Sequence, residues 1–293
     1  MKRFFSTFQS QRPKRIQIIE VGPRDGLQNE SKCLNTVQRA NLINMCTNAG
    51  LHHIEVGSYI HPKLLPQVSN TTELLNLLYP SSYFYSALVP SLKYYEPHPL
   101  VKEIVLFVAA SETFNKKNIN TTIDEAFKRF KPVVDIAKSQ GIHIRGSIST
   151  AVKCPYEGDV HPDKVLDIIS RYEKLGCHLI DIADTIGEAK PEELYSLIGK
   201  AKEVTDISKL TGHYHDNNGN ALLNVEASLH QGMNIFHSSI GGLGGCPFSS
   251  KRVGNLSTEK LVYYLHLSGY DTGLDEEHLS EIGRHVQSLV GRN

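Results

Sequence analysis

Three stretches of this chain concentrate side chains able to do chemistry. The first is Glu20-Val21-Gly22-Pro23-Arg24-Asp25-Gly26-Leu27-Gln28-Asn29-Glu30, where an apolar run meets a dense set of charges. Gly22, Pro23 and Gly26 make a turn by composition, and Arg24 and Asp25 either pair locally or face a ligand. The second is Gly212-His213-Tyr214-His215-Asp216. In an extended segment side chains alternate, so His213 and His215 point to the same side and either grip one metal ion or are paired in the core. The third is Gly241-Gly242-Leu243-Gly244-Gly245-Cys246-Pro247-Phe248, followed by Gly254-Asn255-Leu256-Ser257-Thr258-Glu259. Its glycines suit a plain turn, a phosphate cradle or a loop that approaches a ligand closely. Cys246 has no core to fill there and is read as reactive. Asn255 and Glu259 open the next helix, as its cap and first-turn acid or as parts of a site.

Weaker candidates stand on other apolar runs: Glu55 and Ser58 at the end of the second, Arg145 on the fifth, and Asp181 with Asp184 on the sixth. Cys154-Pro155-Tyr156-Glu157-Gly158 is a turn by composition. His52 and His53 begin their run at the opposite end and are read as structural.

The elements that must position these groups follow a repeated pattern. Eight short apolar or β-branched runs, at 16–21, 53–59, 83–89, 103–109, 143–149, 179–184, 211–216 and 235–240, are each followed by a longer helix-like stretch. Examples are 121–140, capped by Asn120 or Thr121 and closed by Gly141, and 163–176, 191–205 and 219–232. Parallel strands need such crossovers, and eight of them without a linker favour a closed (β/α)8 TIM barrel, a single α/β domain over 16–293. Catalytic groups of such barrels come from the carboxyl ends of the strands. All three chemical stretches lie there.

Composition narrows the function. Lys plus Arg and Asp plus Glu each total 31, so no global field draws a polyanion, and nucleic acid is not an expected partner. Five cysteines without a close pairing pattern point to a reducing compartment. The apolar runs are strand-sized, far short of the ~20 residues of a membrane span. Residues 1–15 carry Lys2, Arg3, Arg12, Lys14 and Arg15 before the first acidic residue, Glu20, which suits a mitochondrial transit peptide or a basic tail. The mitochondrial matrix is expected, with the cytoplasm as the alternative.

Together, the run from Gly22 to Glu30, the His213/His215 pair, and Gly242-Leu243-Gly244-Gly245-Cys246-Pro247 with Gly254-Asn255 closely resemble the 3-hydroxy-3-methylglutaryl-CoA lyase family. Ala109-Ala110-Ser111-Glu112, Lys116-Lys117-Asn118-Ile119-Asn120, Cys154 to Gly158 and Asp184-Thr185-Ile186-Gly187 extend the likeness over about residues 16–270. The resemblance implies a pyruvate carboxyltransferase-like barrel that cleaves 3-hydroxy-3-methylglutaryl-CoA to acetyl-CoA and acetoacetate, a step of leucine degradation and ketone-body formation. It implies Mg2+ or Mn2+ held by Asp25, His213, His215 and Asn255, a mixed oxygen and imidazole set that suits either ion. It makes Arg24 the group that stabilises the enolate oxygen, Cys246 the acid that protonates the enolate carbon, and Glu259 a support for that loop. Asp25 and His213 join the catalytic set. Gln28, Glu55, Ser58, Arg145, Tyr156 and Asp184 are the further expected substrate contacts. The implied partners are a small-molecule acyl-CoA and a second copy in a homodimer. Lys251 and Arg252, where the family usually has small residues, leave the acyl-chain preference open, and Asn217-Asn218 alter the surroundings of His215. The competing readings are a Claisen-type synthase of the isopropylmalate or homocitrate kind and a non-catalytic barrel that binds an acyl-CoA.

Overall fold

Runs of Ile, Val and Leu too continuous for simple alternation are what parallel strands covered on both faces require. The computed structural model describes residues 15–79, 83–217, 219–244 and 254–292, and the runs form strands as expected. These are β1 (Gln17–Glu20), β2 (His53–Ser58), β3 (Phe84–Leu88), β4 (Val101–Ala109), β5 (His143–Ser149), β8 (Leu179–Ala183), β9 (Leu210–His213) and β10 (Ile235–Ser238). Each pairs in parallel with its neighbours, and β10 returns to β1 to close the barrel. Between β5 and the next barrel strand, β6 (Lys153–Cys154) and β7 (Gly158–Asp159) form a small antiparallel ribbon. This ribbon contains the turn expected at Cys154 to Gly158.

The helices are α1 (Thr36–Asn48), α2 (Thr71–Leu75), α3 (Glu112–Ile119), α4 (Ile123–Ser139), α5 (Pro162–Leu175), α6 (Pro191–Ala201), α7 (Ala221–His230), α8 (Thr258–Leu267) and α9 (Glu276–Val290). One cap differs from the sequence reading. Thr122, not Asn120 or Thr121, caps α4 by accepting from Glu125 N, because Asn120 is already used as the left-handed residue that ends α3. The seventh strand is also shorter than expected. It stops at His213, and His215 pairs instead with Asn255 in an antiparallel bridge. No helix among the described residues is long and apolar enough to cross a membrane.

A barrel this size has room for side chains only, and here one layer is polar. Arg145, 1% exposed, donates from Nε to Glu103 Oε2 (2.8 Å), from Nη1 to Asp181 Oδ2 (2.8 Å) and from Nη2 to Glu55 Oε2 (2.7 Å). Burial opposes its charge, but Asp181, Glu103 and Glu55 more than offset that and raise its pKa. His53 closes the layer from below, its Nε2 3.0 Å from Glu103 Oε2.

Removing one partner of a buried ion network leaves uncompensated charge in a medium that solvates it poorly. Arg145→Met should therefore cost at least about 3 kcal/mol of unfolding free energy in urea titrations, or prevent folding. A loss below about 1 kcal/mol would mean that the three carboxylates do not depend on this guanidinium.

Candidate active site

The turn after β1 is where the chain departs from strand geometry. Gly22–Gly26 forms a π-type turn in which Arg24 N and Gly26 N both bond Val21 O at 3.1 Å. In a strand, consecutive side chains would diverge to opposite faces. The turn brings Arg24 and Asp25 to the same place, with Arg24 Nη1 2.8 Å from Asp25 Oδ1. Gly26 allows the turn to lie against the eighth loop, because a Cβ there would stand 2.5 Å from Ser239 Oγ and 2.9 Å from Leu243 Cβ.

Arg24 is tied to the barrel interior. Its Nε donates to Glu55 Oε1, whose other oxygen is held by Arg145, and its Nη1 also reaches Gln28 Oε1 at 3.2 Å. Glu55 and Arg145, expected at the substrate, thus sit beneath the site with their polar groups engaged by one another and by Glu103 and Asp181.

Opposite this turn stand the histidines. His213 and His215 lie with ring centroids 5.0 Å apart, on the same side as alternation implied. Asp25, His213 and His215 each offer a donor atom, all within 4.8 Å of one another, as a metal-holding group requires. Asn255 lies against this group. Its Oδ1 is 3.0 Å from His213 Nε2, while its Nδ2 donates to Asp25 Oδ2 (2.9 Å) and Leu243 O (3.2 Å). Those two acceptors fix which way the amide points and leave the oxygen for the site. Asn255 is not the cap of α8, since Ser257 takes that role by accepting from Lys260 N.

The protonation states of Asp25 and His213 suit ligation. Burial works against the Asp25 carboxylate, yet Arg24, with help from His213 and Asn255, holds its pKa well below the usual carboxylate range. Burial, then the neighbouring His215 and His237, pulls His213 far below an ordinary imidazole, so its ring is neutral. His215 Nδ1 lies 2.8 Å from Asp184 Oδ1, which also accepts from His215 N at 2.9 Å. A carboxylate behind a histidine orients the ring and leaves Nε2 for a ligand. Asp184, expected at the substrate, spends one oxygen in this way, and its buried Oδ2 has no hydrogen-bond partner. Ser58 Oγ, at the end of β2, is likewise buried and unpartnered. Tyr156 stands on the ribbon after β5, 39% exposed, with Lys117 Nζ 4.9 Å from its ring centroid.

Glu259 accepts from Gly241 N (3.0 Å) and Ser257 Oγ (2.7 Å), so it holds the start of the glycine turn. Cys246, with Gly245, Pro247, Lys251 and Arg252, lies outside the described residues. His237 escaped the sequence reading although it is central: its Nδ1 is 3.1 Å from His213 Nδ1, and its Nε2 is 3.4 Å from Asp181 Oδ1. No local signal marks it, because only the pairing of β10 with β9 sets His237 level with His213. Glu103 was visible as one carboxylate inside an apolar run.

The HMGL-like family model matches residues 93–286. The hydroxymethylglutaryl-CoA lyase of Pseudomonas mevalonii is 41% identical over 280 residues, 94% of this chain and 93% of that protein. The mitochondrial hydroxymethylglutaryl-CoA lyase of Homo sapiens is 40% identical over 284 residues, 96% of this chain and 87% of that protein. The crystal structure of hydroxymethylglutaryl-CoA lyase from Pseudomonas aeruginosa superposes with a TM-score of 0.93 at 37% identity, over 97% of this chain and 95% of that one.

Beside the turn, Glu20 is wholly buried and accepts from Gly22 N (2.7 Å), Ile240 N (2.9 Å) and Thr258 Oγ1 (2.6 Å). Burial nonetheless pushes its carboxyl from 4.5 up to about 7. The folded state therefore binds this proton more tightly than the unfolded chain, so the stability it contributes is full below pH 4.5 and is lost as pH rises toward about 7. Relative to Glu20→Gln, the wild type should lose up to about 3 kcal/mol of unfolding free energy across that window. Parallel pH profiles for the two proteins would reject the assignment.

Proposed function

The chain belongs to the HMGL-like family, and from that membership and the site we propose that it is a hydroxymethylglutaryl-CoA lyase, cleaving 3-hydroxy-3-methylglutaryl-CoA to acetyl-CoA and acetoacetate. The observation that carries the reading is the juxtaposition of Arg24 with the Asp25, His213, His215 and Asn255 cluster at the carboxyl ends of the strands. Bond cleavage between C2 and C3 transfers the hydroxyl proton to an acceptor, leaves the bonding pair on C2 as a thioester enolate, and makes C3 a ketone. Each part has a candidate among this chain's residues.

At neutral pH Asp25 is ionised and His213 is neutral, so either can take the hydroxyl proton. Arg24, fixed by Glu55 and Gln28, aims its guanidinium beside Asp25, where it can stabilise the enolate oxygen. Cys246 supplies the proton to C2 in this proposal, which rests on its place in the glycine-rich sequence between Gly244 and Gly254. Ser58 Oγ and Asp184 Oδ2, buried and without partners, suit contacts to the substrate's polar groups. Four donors, two imidazole nitrogens and two oxygens, with a neutral His213 and an ionised Asp25, fit a divalent ion such as Mg2+ or Mn2+. Bound there, the ion would act as a Lewis acid toward the hydroxyl and carboxylate oxygens of the substrate.

The relatives' names also support a small acyl-CoA as the partner molecule. The basic segment 1–15, together with a relative named mitochondrial, supports import into the mitochondrial matrix, with the cytoplasm as the rival compartment. We propose a homodimer as the assembled state.

Incubation of the purified protein with 3-hydroxy-3-methylglutaryl-CoA and Mg2+ should release acetyl-CoA and acetoacetate in equal amounts, and excess chelator should stop it. Unchanged turnover in chelator would remove the metal from the reading. Arg24→Gln should lower kcat by ~10²- to 10³-fold with little change in KM, because enolate charge develops only near the transition state. A variant altered only in KM would reassign Arg24 to ground-state binding.

A further inference from the structure

The described part of the glycine turn has almost no side chains with which to hold itself, and its backbone is bound from elsewhere in the chain. Gln287 Nε2 donates to Gly241 O at 2.8 Å. Arg292 grips two carbonyls, donating from Nη1 to Gly242 O (3.1 Å) and from Nη2 to Gly244 O (2.9 Å). The same guanidinium meets Glu30, with Nε 3.1 Å from Oε2 and Nη2 2.6 Å from Oε1. Glu30 Oε1 in turn accepts from Gly244 N at 3.2 Å.

Leu243 lies between the two carbonyls that Arg292 holds, and its own carbonyl accepts from Asn255 Nδ2. We propose that the Glu30–Arg292 pair is a positioning latch for Asn255, setting through the Leu243 carbonyl which face of that amide meets the metal site. This rests on the reading of Asn255 as a metal ligand.

The geometry explains why a latch is needed. The backbone of Asn255 is already fixed by its bridge to His215 and by Leu256 N bonding Tyr214 O at 3.0 Å. What is left to set is the side-chain amide, whose two ends differ in chemistry but hardly in shape. Turned over, the amide would present NH2 groups, which cannot ligate a cation. Leu243 O and Asp25 Oδ2 are the two acceptors that prevent this, and Asp25 is itself a ligand candidate, so the carbonyl is the independent reference. Gly244, at φ +115°, approaches so closely that a Cβ would stand 2.6 Å from Asn255 Nδ2. A small movement of the turn is therefore felt directly by the amide.

Arginine is the residue suited to the task, because its planar fork satisfies a carboxylate and two carbonyls at fixed angles while an ammonium does not. The side chains are 30% and 6% exposed for Arg292 and Glu30. Arg292 is partly open to solvent while Glu30 is buried, and solvent at the guanidinium limits what the pair adds to stability by itself.

The test measures Mn2+ affinity by electron paramagnetic resonance of the free ion, alongside turnover, in Glu30→Gln, Arg292→Gln, Arg292→Lys and Asn255→Ala. Arg292→Gln and Glu30→Gln should each weaken Mn2+ binding by about tenfold and lower kcat, with metal-free melting temperatures within about 3 °C of wild type. Arg292→Lys should fall between wild type and Arg292→Gln, and the double Gln variant should be no worse than the weaker single one. If Arg292→Gln does not fold, Glu30→Gln and Arg292→Lys carry the same comparison. Wild-type Mn2+ affinity in Asn255→Ala would overturn the ligand reading on which the latch stands. Weakened binding in Asn255→Ala with wild-type affinity and kcat in the folded latch variants would overturn the latch alone.

Discussion

A charge placed inside a barrel must be paired where it stands, and the rest of this site depends on how that is done for Arg145. Its guanidinium forks to carboxylates on three other strands, Glu55, Glu103 and Asp181, so it ties β2, β4 and β8 to β5 at one level. Each carboxylate then has a second oxygen or lone pair to give. Glu55 gives its own to Arg24, and Asp181 gives its own to Thr211 and His237. The proposed enolate-stabilising arginine and the imidazole behind His213 are thus anchored to one buried cation. A group fixed from below cannot relax toward a ground state, which is the condition for selective interaction with a transition state.

The upper layer is built differently. Ladder geometry sends neighbouring side chains to opposite faces, so a compact cluster of ligands cannot come from strands alone. The π-type turn after β1 places consecutive Arg24 and Asp25 together, and an antiparallel bridge beyond the end of β9 brings Asn255 to His215. Both departures use glycine, and both leave backbone that no ladder holds. Side chains of Glu20, Glu30, Glu259, Gln287 and Arg292 bind the backbone of the glycine turn after β10, at 240–244.

Electrostatics then readies the cluster for a cation. Arg24 keeps Asp25 ionised, and burial beside two imidazoles keeps His213 neutral, so neither must lose a proton on binding. Asp184 bonds His215 Nδ1 and so orients that ring. These are states of the folded chain alone, because each arises from a neighbour fixed by the barrel.

The (β/α)8 architecture was legible in the sequence because period and punctuation are local: eight apolar runs recur with helix-like stretches between them, although the structure joins β3 to β4 by a short 3-10 turn, Leu92–Tyr94, where a helix was expected. Two histidines two residues apart on an extended segment share a side whatever the rest of the chain does, so the placement of His213 with His215 was legible too. Resemblance supplied Asp25 and Asn255 as their companions, and the geometry brings all four together. What the sequence alone did not determine were the contacts between strands distant along the chain. The resemblance makes Glu55 and Arg145 substrate contacts, and only the fold shows that they turn toward each other over a separation of 90 residues. His237 reads as one more residue in an apolar run until register sets it level with His213. Local pattern decides which face a side chain takes. Only closure of the barrel decides what stands opposite it, because partner identity inside a low-dielectric interior is fixed by register between strands, and register is a property of the whole sheet.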